Sequence, residues 1–131
     1  MKRRVAREKA LQTLFQYGVN DIEPREALEN VLDGAEMDEF LLKLVDGTLE
    51  HMSEIDQIIN NNLENWSINR LAKVDLTILR LGINELLYND EIPDNVAINE
   101  AIEIAKKFGD EHSSKFVNGI LSKVKEQKKN S

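Results

Sequence analysis

The sequence predicts an all-α protein, with about seven helices in two small packed bundles that form one compact domain. Three observations lead there. Apolar residues recur at spacings of three and four along most of the chain. No run alternates apolar and polar as a half-buried strand does. Turn and helix-stop residues cut the pattern into segments of helical length. A length of 131 residues suits a single domain over 1–131. Its N-terminal helical subdomain is expected at about 1–65 and its C-terminal one at about 66–131.

The first helix is expected over 5–18, with Ala10, Leu11, Leu14 and Phe15 as its apolar stripe and Gly18 as its stop. On that reading Arg3 and Arg4 form a mobile arm leading into it. Asn20-Asp21-Ile22-Glu23-Pro24 makes a turn, and Pro24 opens a short helix to Leu32 that turns Ala27, Leu28 and Val31 inward. A long third helix is expected over 38–63, striped by Phe40, Leu41, Leu44, Val45, Leu49, Met52, Ile55 and Ile59. Gly47 interrupts this stripe at a cost of about 1 kcal/mol relative to alanine, and suits close approach by a neighbouring helix. Ser67 is expected to cap a short turn beside Trp66, a packing anchor.

Over 74–88 the apolar residues Val74, Leu76, Ile78, Leu79, Leu81, Ile83, Leu86 and Leu87 point in nearly every direction, which marks a helix buried on most sides. Arg80 and Asn84 form its polar seam. Asn89-Asp90-Glu91-Ile92-Pro93 breaks the chain, and Asp94 or Asn95 caps the next helix, striped by Ala97, Ile98, Ala101, Ile104, Ala105 and Phe108. Glu103 and Lys107 on its outer face are spaced for an i,i+4 pair worth ~0.2–0.5 kcal/mol. Gly109 ends that helix and Ser113 starts the last, which buries Phe116, Val117, Ile120, Leu121 and Val124. Residues 125–131 carry no stripe and are expected to fray.

Composition removes several function classes. The absence of cysteine excludes thiolate metal sites and thiol catalysis. No apolar run approaches the ~18–20 residues of a membrane span, and no signal-peptide stretch follows Met1-Lys2-Arg3-Arg4, so a cytoplasmic protein without membrane contact is expected. There is no phosphate loop, dinucleotide fingerprint or His-Glu-x-x-His pair. His51 and His112 are isolated, and Glu50 with Glu54 reads as a solvated helix face rather than a cation site. No catalytic residue, metal ligand or cofactor is expected.

The net charge of −7 is unevenly spread. Lys2, Arg3, Arg4, Arg7 and Lys9 against Glu8 give the first nine residues +4. Lys123, Lys125, Lys128 and Lys129 against Glu126 give 122–131 a charge of +3, leaving −14 for the body between. Basic ends on an acidic body point to a polyanion contact. The planar guanidinium suits phosphates and stacks on bases, which makes the first segment the better candidate. Arg7 lies at the end of the apolar stripe, where it either pairs with a carboxylate at the core edge or projects towards RNA. Of the aromatic residues Phe15, Tyr17, Phe40, Trp66, Tyr88, Phe108 and Phe116, most fall on core faces.

The residues also carry a resemblance. Arg4-Val5-Ala6-Arg7-Glu8-Lys9-Ala10-Leu11-Gln12-Thr13-Leu14-Phe15 is similar to the opening of the NusB family. Val96-Ala97-Ile98-Asn99-Glu100-Ala101-Ile102-Glu103-Ile104-Ala105-Lys106-Lys107-Phe108-Gly109 resembles its most recognisable block, and Lys115-Phe116-Val117-Asn118-Gly119-Ile120-Leu121 follows at the family's spacing. Val74-Asp75, Ile78-Leu79-Arg80 and Glu85-Leu86 match its central helix.

The resemblance implies a bacterial transcription antitermination factor that performs no catalysis. Such a protein binds the boxA element of nascent ribosomal RNA leader transcripts, a single-stranded RNA, as a heterodimer with the ribosomal protein NusE. Other Nus factors and RNA polymerase are reached through that complex. It implies RNA contact by Arg3, Arg4, Arg7, Phe15, Lys115 and Phe116, and places Asp75 on the side that receives NusE. Val5 stands where other members carry an arginine. Some members form homodimers when free, and the sequence leaves that state open here. The competing readings are a helical adaptor that binds protein alone, and an RNA-binding module acting with a separate enzyme that modifies ribosomal RNA.

Overall fold

The computed structural model describes residues 1–130. Within that range the regular elements are α1 (Arg3–Asn20), α2 (Pro24–Leu32), α3 (Glu39–Glu50), α4 (Met52–Asn61), a 3-10 turn (Ile68–Arg70), α5 (Lys73–Tyr88), α6 (Asp94–Phe108) and α7 (Ser113–Lys129). The expected all-α class is the one observed. α1 packs on α2 and α3, while α6 and α7 pack on each other and on α5. α5 also meets α1, α3 and α4, so it is the hub that the all-round apolar pattern predicts. Ten of its 16 residues are buried.

Each helix contributes to one continuous core, with Leu11, Leu28, Leu41, Leu44, Ile55, Ile59, Ile78, Leu79, Ile83, Ala105 and Leu121 almost or wholly inaccessible. The leucine and isoleucine side chains among these each contribute about 1.5–3 kcal/mol on burial. Gly47 behaves as its place in the stripe suggests. A Cβ there would lie 2.9 Å from Asn84 Oδ1, so any larger residue would have to push the Asn84 amide aside.

Several elements differ from expectation. α1 begins at Arg3 and continues through Gly18 to Asn20. Lys2 is extended and its carbonyl accepts from the Ala6 N–H at 2.9 Å, which closes the first turn around Arg3 and Arg4. These two arginines therefore belong to the helix rather than to a mobile arm. Asp21, in the left-handed region at φ 54°, provides the stop instead of Gly18.

The expected single helix over 38–63 is two, broken at His51. The Gly47 carbonyl there accepts both the His51 backbone N–H at 3.1 Å and the ring Nδ1 at 2.9 Å. The imidazole stacks on Tyr88 with centroids 3.7 Å apart and planes 2° from parallel. Just before the break, Thr48 Oγ1 donates back to the Leu44 carbonyl at 2.7 Å, a bond that bends helices. The apolar stripe runs on through this bend because α3 and α4 bury their faces on the same core.

Ser67 makes no side-chain cap and Trp66 is 60% exposed, because Leu63, Ile68 and Leu71 fill the packing position instead. Asp94 is the first residue of α6 rather than its cap. The expected Glu103–Lys107 pair is replaced. Lys107 Nζ reaches Glu8 on α1 at 2.8 Å, and Glu103 pairs with Lys106 at 3.6 Å.

The expected fraying over 125–131 does not occur in the described part, and Ser131 lies outside the described residues. Asn62 and Gln127 exchange reciprocal amide hydrogen bonds at 3.2 and 2.8 Å. Lys128 Nζ donates to the Leu86 carbonyl and to Asp94, each at 2.9 Å. Polar anchors thus extend α7 past its last apolar turn.

Removing residues 126–131 should lower unfolding free energy by about 2–4 kcal/mol, from one neutral amide exchange and one charged donor. Urea denaturation followed by circular dichroism measures it, and an unchanged midpoint would show that these anchors carry no stability.

Candidate nucleic-acid interface

The basic segment expected to meet a polyanion forms the first two turns of α1. Arg3 and Arg7, four residues apart, share one face of the helix. That face looks onto Phe40 of α3, with the two guanidinium carbons 4.7 and 5.2 Å from the ring centroid. Such contacts hold a guanidinium flat against an aromatic surface.

Arg7 is 4% exposed, in the bidentate grip of Glu85 on α5. Its Nε donates to Oε1 at 2.7 Å and its Nη2 to Oε2 at 2.9 Å. Its remaining terminal nitrogen, Nη1, donates to Glu100 on α6 at 3.2 Å. Of the alternatives open for Arg7, the structure places it with carboxylates at the core edge.

Glu100 also accepts from Arg4, at 2.6 Å from Nη2 and 3.2 Å from Nε. The hydrogen bond from Arg4 is the main influence holding the Glu100 carboxyl below its ordinary range, against the opposing effect of desolvation. The same bond raises Arg4 further above its already high value. Arg4 keeps 59% of its side chain exposed, so its fixed guanidinium faces solvent.

Beside Arg4 lies an open cleft of about 380 Å³, lined also by Glu8, Glu103, Lys106 and Lys107. Lys107 Nζ stands 5.4 Å from the Phe108 centroid. Sequence reasoning passed over Lys106 and Lys107 as an outer helix face, and over Glu100 as the group that orders Arg4. The available signal was only their place in the last turns of a helix near a basic segment. What joins them to Arg4 is the side chains that reach between α6 and α1, Lys107 to Glu8 and Arg4 to Glu100.

The other expected residues lie elsewhere. Phe15 is half-buried two turns beyond Arg7, about 12 Å along the α1 axis. Asp75 lies near the start of α5, ten residues and about 15 Å of helix before Glu85. Its Oδ1 accepts from the buried Ser113 hydroxyl at 2.6 Å. Asp75 also lines an open cleft of about 350 Å³ with Trp66, Arg70, His112 and Phe116. Phe116 is half-buried against the core, and exposed Lys115 joins it around a neighbouring hollow. The structure therefore gathers Arg3, Arg4 and Arg7 in one place, and Asp75, Lys115 and Phe116 in another.

Removing one partner of a buried ion pair strands the other charge. Glu85→Ala should cost about 3–5 kcal/mol in thermal or urea unfolding, and an Arg7→Met, Glu85→Leu double variant should recover most of it. The lowered Glu100 carboxyl contributes stability that is complete at neutral pH and is lost as pH falls through its folded value, below the ordinary 4.5. Glu100→Gln should therefore flatten the acid limb of a Tm-against-pH profile, and an unaltered limb would remove Glu100 from that role.

The chain matches the NusB family model over residues 4–126. The transcription antitermination protein NusB of Bacillus licheniformis is 58% identical over 125 residues, 95% of this chain and 97% of that protein. The Bacillus subtilis protein of the same name is 54% identical, with 95% of each chain covered. Among solved structures, T. maritima NusB aligns with a TM-score of 0.89 at 40% identity, over 97% of this chain and 92% of that one. A chain from the complex of antitermination factors NusB and NusE with double-stranded RNA aligns with a TM-score of 0.87 at 32% identity, over 95% and 96%. The family match begins at Arg4 of the clamped arginines and runs into the last turn of α7, and on that extent the chain belongs to the NusB family.

Proposed function

We propose that this chain is a bacterial transcription antitermination factor that binds boxA-type single-stranded RNA of ribosomal leader transcripts as a heterodimer with NusE. Other Nus factors and RNA polymerase are engaged through that complex. The observation that carries the reading is the ordered cationic face at the start of α1, on a chain whose net charge is −7. Relatives over half identical are named transcription antitermination proteins, and a similar chain has been solved with NusE and RNA.

In this reading Arg3 and Arg4 contact phosphates, with Lys106 and Lys107 extending the same face. Arg7 acts as a positioning residue: it holds Glu100, and Glu100 holds Arg4. Phe15, Lys115 and Phe116 add RNA contacts, and Asp75 lies on the side that receives NusE. The acidic body suits a basic ribosomal partner, and two weak RNA surfaces held together bind more tightly than either alone. The reading needs no catalytic step and no cofactor, and assigns the protein to the cytoplasm. It keeps the division into subdomains at about 1–65 and 66–131, with α1 packed on α2 and α3, α6 and α7 packed on α5, and α5 joining the two through α1, α3 and α4.

The test is fluorescence anisotropy with labelled boxA RNA and a scrambled control, with and without NusE, at two salt concentrations. Partner-enhanced, salt-sensitive binding to boxA alone is expected. An Arg3→Ala, Arg4→Ala variant should bind more weakly, with the logarithmic salt slope shallower by about 0.7 for each phosphate that is no longer neutralised. Equal binding to both RNAs would reduce the face to a nonspecific polyanion contact. NusE binding without any RNA affinity would leave a protein adaptor.

A further inference from the structure

The opposite side of α5 from Asp75 carries a cleft lined by none of the residues assigned above to RNA or NusE. Asn84 follows Asp75 by nine residues, which places it about half a turn around the helix. There α3 and the end of α5 enclose about 420 Å³, with Gly47 and Asn84 close together. Asn84 is 5% exposed, and its Oδ1 is the one buried side-chain polar atom among the described residues that has no hydrogen-bond partner. Buried polar atoms are nearly always paired, and this oxygen is turned towards Gly47, where no bond holds the amide against turning to offer it to a ligand in the cleft.

The surroundings define that ligand. His51 and Tyr88, stacked at 3.7 Å, form part of the wall. Each ring is pinned: His51 Nδ1 meets the Gly47 carbonyl, and the Tyr88 hydroxyl donates to Glu54 at 2.7 Å. Glu39, Asp46 and Glu50 line the cleft against a single Lys43, so it favours a cation. A planar cation with several N–H donors uses the aromatic wall, the carboxylates and the amide together, which a compact ammonium does less well.

We propose that this cleft receives the guanidinium of an arginine side chain from a basic protein segment. Asn84 turns its amide by half a turn about χ2 so that the oxygen accepts one N–H, and Asp46 and Glu50 accept others. The contact is independent of the Arg3–Arg4 face and lies on another side of the molecule from Asp75.

The test uses the full chain, labelled with ¹⁵N, and a Gly/Ser peptide carrying one central arginine. Saturable shifts of the Asn84 side-chain amide and the Gly47 N–H are expected. A citrulline peptide, of the same shape without the charge, should bind about tenfold more weakly. Asp46→Asn and Glu50→Gln, at exposed positions, should each weaken binding about fivefold. Asn84→Leu should abolish the Gly47 shift without loss of thermal stability, and the Arg3→Ala, Arg4→Ala variant should bind the peptide normally. No saturable shift, equal response to citrulline, or shifts centred on Glu100 or Asp75 would overturn the proposal. Binding of free agmatine with no response to the peptide would also overturn it, in favour of a small-molecule site.

Discussion

The ion pair between Arg7 and Glu85 is the constraint on which the rest of the molecule is arranged. It joins the first helix to the central one through two short parallel hydrogen bonds, with side chains 4% and 3% exposed. Desolvating both charges is expensive, and only the matched geometry of guanidinium and carboxylate offsets it. Because a small displacement would break that match, the pair fixes where α1 lies against α5. Glu100 then meets Arg7 on one side and Arg4 on the other, so the buried pair sets the surface arginine. Core and candidate interface are consequently one structure, continuous from Glu85 out to Arg4.

The same arrangement explains how an acidic chain presents a cationic face. Glu8, Glu85 and Glu100 each accept from a basic side chain on a neighbouring helix. They neutralise part of the local charge while fixing where the rest of it stands. Of these, the exposed Lys107–Glu8 pair contributes little stability. Its effect lies in orientation: α6 reaches α1 through Lys107 and Glu8 as well as through Glu100 and Arg4, which aligns the two helices along the cleft between them.

Much of this was legible in residue spacing, and the losses have common causes. The all-round apolar pattern of 74–88 identified the hub, and Gly47 marked a close approach by a neighbouring helix. Both are properties of one segment read along its own axis. The break at His51 was not legible, since the stripe continues through it and the competing bonds depend on a ring held by Tyr88. Arg7 could be narrowed to two fates, and Glu85, 78 residues away, decided between them. Lys107 was assigned to its neighbour in sequence, whereas the fold gave it Glu8, 99 residues distant. The tail looked unsupported because its anchors are polar and lie on α5, α6 and the end of α4. Pairings across the fold are what a single sequence conceals.

The contact between Arg4 and Glu100 sets the guanidinium in place before any anion arrives. Glu100 engages Nε and Nη2 of Arg4 and leaves Nη1 for an incoming anion, so the side chain loses little further freedom on binding. Glu100 stays bound to Arg7 as well, so the guanidinium it holds is fixed from the core outward. A phosphate backbone arriving there meets a face already shaped around another anion.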